Sequence, residues 1–200
     1  MFVQVIQAKV KDADGLRAAL DNWQEDLQPG ASGWLGTTGG VTEDGRFIAL
    51  ARFESAEAAR ANSERPEQGE WFARVAANFD GEADFLDSDK VTEWLGGGSD
   101  DAGFVQVMRG RSDDVERMEA LMSRHDAVIQ EGRPDIIGGL MVHTDDGSYV
   151  QAVYFRSEDA ARDGEATEPP EEVRAEMEEG WKLMGDVTYF DLKDPILRSP

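Results

Sequence analysis

The sequence predicts an α+β chain made of two ferredoxin-like βαββαβ repeats. Three observations predict it: an internal duplication offset by 102 residues, period-two apolar alternation in several short runs, and apolar stripes at helical spacing between those runs. GRFIALARFESAEAAR (Gly45 to Arg60) has its counterpart in GSYVQAVYFRSEDAAR (Gly147 to Arg162). FVQV at Phe2–Val5 recurs at Phe104–Val107, and TEDG at Thr42–Gly45 returns as TDDG at Thr144–Gly147. A two-residue insertion then shifts the match, so that Pro66 pairs with Pro170, Gly81 with Gly185 and Asp87 with Asp191. A period this long marks duplicated domains, because solenoid repeats are much shorter.

Each element has a local reason. The first strand, about Phe2 to Val10, alternates apolar and polar residues. A helix is expected from Asp12 to Leu27, with Asp12 as N-cap and Leu16, Leu20, Trp23 and Leu27 on one face. Trp34–Val41 and Arg46–Phe53 flank Asp44-Gly45, a dipeptide suited to a tight hairpin. Ser55 caps a short helix carrying Glu57 in its first turn. Pro66 opens another helix, with Phe72, Val75 and Phe79 on one stripe, and Ala83–Leu86 is the last strand. The second repeat follows the same order, with Val115, Met118, Met122, His125 and Ile129 on its first helix. Its later helix carries Val173, Met177, Trp181 and Met184, before a strand from about Val187 to Leu192. The expected domains are residues 1–95 and 104–200, with GGGSDDAG (96–103) as a flexible connector.

The strands are apolar on both faces. Phe47 and Phe53 alternate with Ile48 and Leu50, while Tyr149, Val153 and Phe155 alternate with Val150, Ala152 and Tyr154. Helices on one side alone would leave the other face polar. The two sheets are therefore expected to cover one another in an intrachain α+β barrel, a pseudo-dimer that is monomeric or pairs again as a homodimer.

Forty-two acidic against twenty basic residues give a formal charge of −22. Such a surface repels phosphates, so neither nucleic acid nor an anionic membrane is an expected partner. With no cysteine, disulfides, thiolate metal sites and cysteine nucleophiles are excluded. No apolar run is long enough to span a bilayer, and MFVQVIQAKV begins as a strand rather than as a signal peptide, so a cytoplasmic location is expected.

His125 falls on the apolar face of its helix, where the first repeat has Trp23. A neutral imidazole there can act as a base toward an acidic phenol, or be a core histidine bonded to a carbonyl. Gln4 and Gln106 take equivalent places in otherwise apolar strands, where a buried amide needs a partner: a ligand, or the opposite sheet. Trp23, Trp34, Trp71 and Trp181 either line an aromatic pocket or pack in the core. Arg52 against Tyr154, and Thr38 against Leu140, make any two pockets chemically unequal. His143 sits in HTDDG, whose aspartates are turn formers, so no metal site is expected. GTTGG (Gly36 to Gly40) lacks the spacing of a phosphate loop, and the acidic run at Glu165–Gly180 reads as a solvated helix face.

ARFESAEAARANSE (Ala51 to Glu64) and YFRSEDAAR (Tyr154 to Arg162), each preceded by a hairpin, resemble the dimeric α+β barrel superfamily, in particular its antibiotic biosynthesis monooxygenase-like branch. The resemblance implies the fold over both halves. It also implies a choice among cofactor-independent oxygenases of polycyclic aromatic or quinol-type substrates, haem degraders, and members with no assigned activity. Haem degraders would have an amide on strand one, a tryptophan after strand three and a histidine in the next helix. Gln7 matches the first, with Arg109 in the second repeat, but Asn62 and Gly164 stand at the tryptophan position. No histidine falls in Pro66–Phe79 or Pro170–Met184, so haem degradation is not expected.

Two functions follow as expectations. The first is a cofactor-free monooxygenase acting on an aromatic or quinol-type substrate. In it His125 is the base, Trp23, Trp34 and Tyr154 are walls, and Gln4, Gln106 or Arg52 orient polar groups. The second is a non-catalytic barrel that binds a small apolar metabolite or assembles with other proteins.

Overall fold

Three local signals start the helices of the first repeat. The Asp12 carboxylate accepts from the Gly15 N–H at 2.9 Å, Ser55 Oγ accepts from the Ala58 N–H at 3.2 Å, and Pro66 occupies the first turn of the helix that it opens. The computed structural model describes residues 1–124, 131–168 and 171–200. His125 and Ile129 lie outside the described residues.

In the first repeat the elements are β1 (Phe2–Lys9), α1 (Ala13–Asp21), α2 (Trp23–Asp26), β2 (Trp34–Val41), β3 (Arg46–Phe53), α3 (Ala56–Ser63), α4 (Pro66–Ala76) and β4 (Asp84–Ser88). A fifth strand, β5 (Lys90–Trp94), follows at once. The second repeat runs β6 (Phe104–Arg111), α5 (Val115–Arg124), β7 (Ile136–His143), β8 (Ser148–Phe155), α6 (Glu158–Glu165), α7 (Glu171–Leu183) and β9 (Thr188–Leu192), and then β10 (Ile196–Arg198). The fold is α+β, with two ferredoxin-like βαββαβ repeats in one chain.

The single helix expected from Asp12 to Leu27 is interrupted at Asn22, and a short 3₁₀ turn follows at Gln28–Gly30. Asparagine favours caps over helix interiors, and Pro29 has no N–H to continue the ladder.

Two strands lie beyond the βαββαβ pattern, and they define the units. The chain divides into Met1–Asp89 with Ile196–Pro200, and Lys90–Pro195. In the first unit the strand order is β10-β2-β3-β1-β4; in the second it is β5-β7-β8-β6-β9. The strand after each repeat thus extends the other repeat's sheet: Arg198 lies opposite Thr37, and Trp94 opposite Gly139, both antiparallel. The exchange moves the unit boundaries away from the cut at 96–103. It escaped the sequence reading because five-residue and three-residue strands are too short to show a period. The segment 96–103, expected as a flexible connector, makes local contacts. Gly96 and Gly97 turn at positive φ, Ala102 is buried, and the Gly103 N–H donates to the Phe155 carbonyl at 3.0 Å.

In both sheets the two faces are buried. Ala8, Phe47 and Ala49 pack with Leu16 of α1 and Val75 of α4, while Val3, Ile48 and Leu50 on the opposite face are fully buried. In the second unit, Phe104, Met108, Tyr149 and Phe155 share a cluster with Met118 of α5, and Val105, Val107, Leu140, Val150 and Tyr154 are fully buried on the other face.

Candidate functional site

Small residues open a space beneath the helices of the first unit. Phe47, Ala49, Ala51 and Phe53 alternate along β3 so that all four face α1–α4, and the two alanines leave the middle of that row shallow. Gly69 of α4 is on the same wall, and a Cβ built on it meets nothing within 4 Å. What remains is a cavity of about 330 Å³, within the usual range for a small-molecule site.

Aromatic rings close it. Trp23 packs against Trp34 with centroids 4.8 Å apart and against Trp71 at 6.3 Å; Trp71 meets Phe72 at 6.4 Å, and Phe72 meets Phe85 at 6.0 Å. The indole N–H groups are all committed within the protein: Trp23 to Gln68 Oε1 (2.9 Å), Trp34 to Thr37 Oγ1 (3.0 Å), Trp71 to the Ala19 carbonyl (2.8 Å). These bonds fix the rings, so the cavity is bounded by their apolar surfaces.

Polar groups are few. Gln4, Thr37, Asn62, Ser63, Gln68 and Arg198 reach the lining, and among the described residues Arg198 is its only ionisable side chain. Asn62 is held by Arg65 Nη1, which donates to its Oδ1 at 2.9 Å and to the Leu27 carbonyl at 3.1 Å. The exchanged strand β10 supplies Ile196 as well as Arg198.

Among the described residues of the second unit, Trp94 occupies the corresponding place. Trp94 stands where the first unit has Arg198, and Gly139 where it has Thr37, since Trp94 pairs with Gly139 as Arg198 pairs with Thr37. A Cβ on Gly139 would lie 2.0 Å from the Trp94 ring, so only glycine admits the indole. Trp94 is buried among Phe104, Met108, Met118, Met141, Tyr149, Val153 and Phe155. Three of the five wall aromatics are also replaced: Trp34 corresponds to Ile136, Trp71 to Ala175 and Phe72 to Glu176. Tyr149, the counterpart of Phe47, donates its hydroxyl to the Met184 carbonyl at 2.9 Å, and burial pushes its pKa up to about 12, so that proton stays in place.

Of the residues singled out in the sequence, Trp23, Trp34 and Gln4 line the cavity of the first unit. Gln4 donates to Asp87 Oδ2 at 3.2 Å, and Gln106 to Asp191 Oδ1 at 3.0 Å, so each amide bonds its neighbour on the adjacent strand. Arg52 alternates with Ala51 and Phe53 and so faces away from the cavity; it is 8 % exposed and its Nε has no hydrogen-bond partner. Tyr154 is fully buried on the corresponding face of the second sheet. The expected base, His125, lies outside the described residues.

His143 is buried, with Nε2 3.4 Å from Glu119 Oε2, and the Thr92 hydroxyl donates to the other oxygen of that carboxylate. Asp146 of the following turn accepts from Thr144 and Ser148, which holds its carboxyl down at about 2. HTDDG is thus a hairpin turn, and no cluster of three potential metal ligands exists among the described residues. Nor is any helix among them long and apolar enough to cross a membrane.

The sequence reading missed Arg198, Ile196, Thr37 and Gln68, and counted Asn62 only as a place where tryptophan was lacking. The one signal for Thr37 and Arg198 was comparison between repeats, where both positions change character.

No sequence-family model matches the chain, and no curated protein sequence does. Its likeness is to solved structures. A candidate monooxygenase from Lactobacillus acidophilus NCFM superposes with a TM-score of 0.71 at 10% identity, covering 99% of both chains. A candidate monooxygenase from Fusobacterium nucleatum subsp. nucleatum gives 0.72 at 8% identity, over 99% of this chain and 94% of that one. An anthrone oxidase-like protein gives 0.68 at 11% identity, over 99% of this chain and 92% of its own. Likeness at such low identity is likeness of fold. Over its whole length the chain carries the α+β fold of these three structures.

Proposed function

We propose that the cavity of the first unit binds a flat, largely apolar aromatic molecule. The observation that carries this is the unbroken series Trp34–Trp23–Trp71–Phe72–Phe85 around a space floored by Ala49 and Ala51. Rings held by their own N–H bonds offer a preformed surface, so a planar ligand stacks without ordering the wall first.

A second reading, oxidation of that ligand without a cofactor, is supported by the fold shared with an anthrone oxidase-like protein. For an anthrone the step balances with dioxygen alone. Both C–H bonds at the ring CH₂ break, one oxygen atom becomes the new carbonyl, and the other leaves as water with the two hydrogens. The substrate supplies the electrons. Among the described residues Arg198 is the one ionisable group on the lining; on this reading the first proton leaves by the substrate's own ionisation, and Arg198 sits beside the charge that develops. The rate should therefore rise with pH through the substrate's own pKa.

Titration with anthraquinone, followed by tryptophan fluorescence, is expected to show saturable quenching. Trp23→Ala and Trp71→Ala should each weaken binding at least tenfold. Absence of quenching, or unchanged affinity in both variants, would overturn the reading. With anthrone, uptake of one dioxygen per molecule supports oxidation; no uptake while binding persists favours the non-catalytic metabolite binder. Loss of uptake in His125→Ala would restore the histidine base expected from the sequence.

A further inference from the structure

We propose that the cavity takes its aromatic ligand as an anion, and that Arg198 selects it. The inference rests on the binding reading above and adds the charge state of the ligand.

The lining offers mainly donors. Asn62 Oδ1 is taken by Arg65, Gln68 Oε1 by Trp23, and Thr37 Oγ1 already accepts from Trp34. No bond among the described residues takes the Asn62 or Gln68 amide protons, or the Thr37 hydroxyl proton. The Ser63 proton is used on the Ala59 carbonyl, and the Gln4 amide protons face Asp87, leaving the Gln4 Oε1 as the amide oxygen still open. A neutral hydrocarbon would leave most of these donors unanswered, which is costly in an apolar site.

Arg198 lies opposite Thr37 in the sheet, so the guanidinium and the spare hydroxyl sit at one end of the cavity. Among the described residues the guanidinium has one ionic neighbour, Asp21, at 3.7 Å, and the Asp21 side chain is 61% exposed. A pair that long and that wet is weak, and an oxygen anion held inside the cavity displaces it. The rest of the chain works against anions, with its formal charge of −22. A preference for the ionised ligand must therefore come from this one cation and its neighbouring donors, and it should vanish with the cation. A phenolate and an aromatic carboxylate share the needed chemistry.

The test uses the full chain and alizarin, a hydroxyanthraquinone whose phenol ionises near neutral pH with a change of colour. Bound alizarin is expected to ionise at least one pH unit lower than free alizarin, a tenfold preference for the anion. Arg198→Gln should abolish that shift and Arg198→Lys should keep part of it, with alizarin still bound by each variant. 2-Naphthoate compared with its methyl ester tests the carboxylate source by the same tenfold criterion. Alizarin that binds but ionises as it does free in solution, or a shift that survives Arg198→Gln, overturns the anion inference and leaves the aromatic site standing. Failure of alizarin and anthraquinone alike to bind overturns both.

Discussion

Trp94→Ala is expected to lower the stability of the chain by about 3–5 kcal/mol, the range for truncating a large buried aromatic. Trp94 is 6% exposed, at the end of the exchanged strand β5, where its indole lies on Gly139 and against the Met141 and Tyr149 cluster. Removing it empties the middle of the second unit's core and loosens the strand that borders β7. Denaturant unfolding followed by circular dichroism measures the loss. Trp181→Ala is the control, since Trp181 is 55% exposed and its truncation should change stability by no more than about 0.5 kcal/mol. A Trp94→Ala protein as stable as the control would mean that the indole does not fill that core.

The paired substitution Thr37→Gly with Arg198→Trp should fill the first unit's cavity with an indole placed as Trp94 is placed in the second unit. Glycine clears the approach that Gly139 clears for Trp94, and the new indole enters a space of about 330 Å³ bounded by apolar rings. Aromatic-probe binding is expected to fall at least a hundredfold, while the unfolding midpoint holds or rises because a large apolar side chain gains cover. Arg198→Trp alone should do less, because Thr37 obstructs the ring. Quenching by anthraquinone that persists in the double variant would place the ligand elsewhere.

These two expectations come from a contrast that the sequence showed only in part. The duplication, the hairpins at Asp44-Gly45 and Asp146-Gly147 and the bounds of β2 and β3 were legible because period-two runs and turn residues are local signals. Inequality of the repeats was legible too, although Arg52 against Tyr154 and Thr38 against Leu140, on which it was read, lie on the face away from the helices. The pairs that decide the difference, Arg198 against Trp94 and Thr37 against Gly139, meet only through the exchanged strands. Nothing within three residues of β10 signals a partner almost 160 positions earlier. Gln4 and Gln106 are amides for which the sequence offers a ligand or the opposite sheet as partner; each donates to a side chain beside it, Asp87 and Asp191, because antiparallel neighbours put those side chains on one face. Trp23 and Trp34 line the cavity because helical and strand periods point them at the same layer.

The central claim is that the first unit, and not the second, holds a planar aromatic ligand between its sheet and helices. A crystal structure of the full chain grown with anthraquinone tests it most directly. The account predicts flat density over Ala49 and Ala51, in contact with Trp23 and Trp71. Density elsewhere on the chain, with that cavity empty, would contradict it.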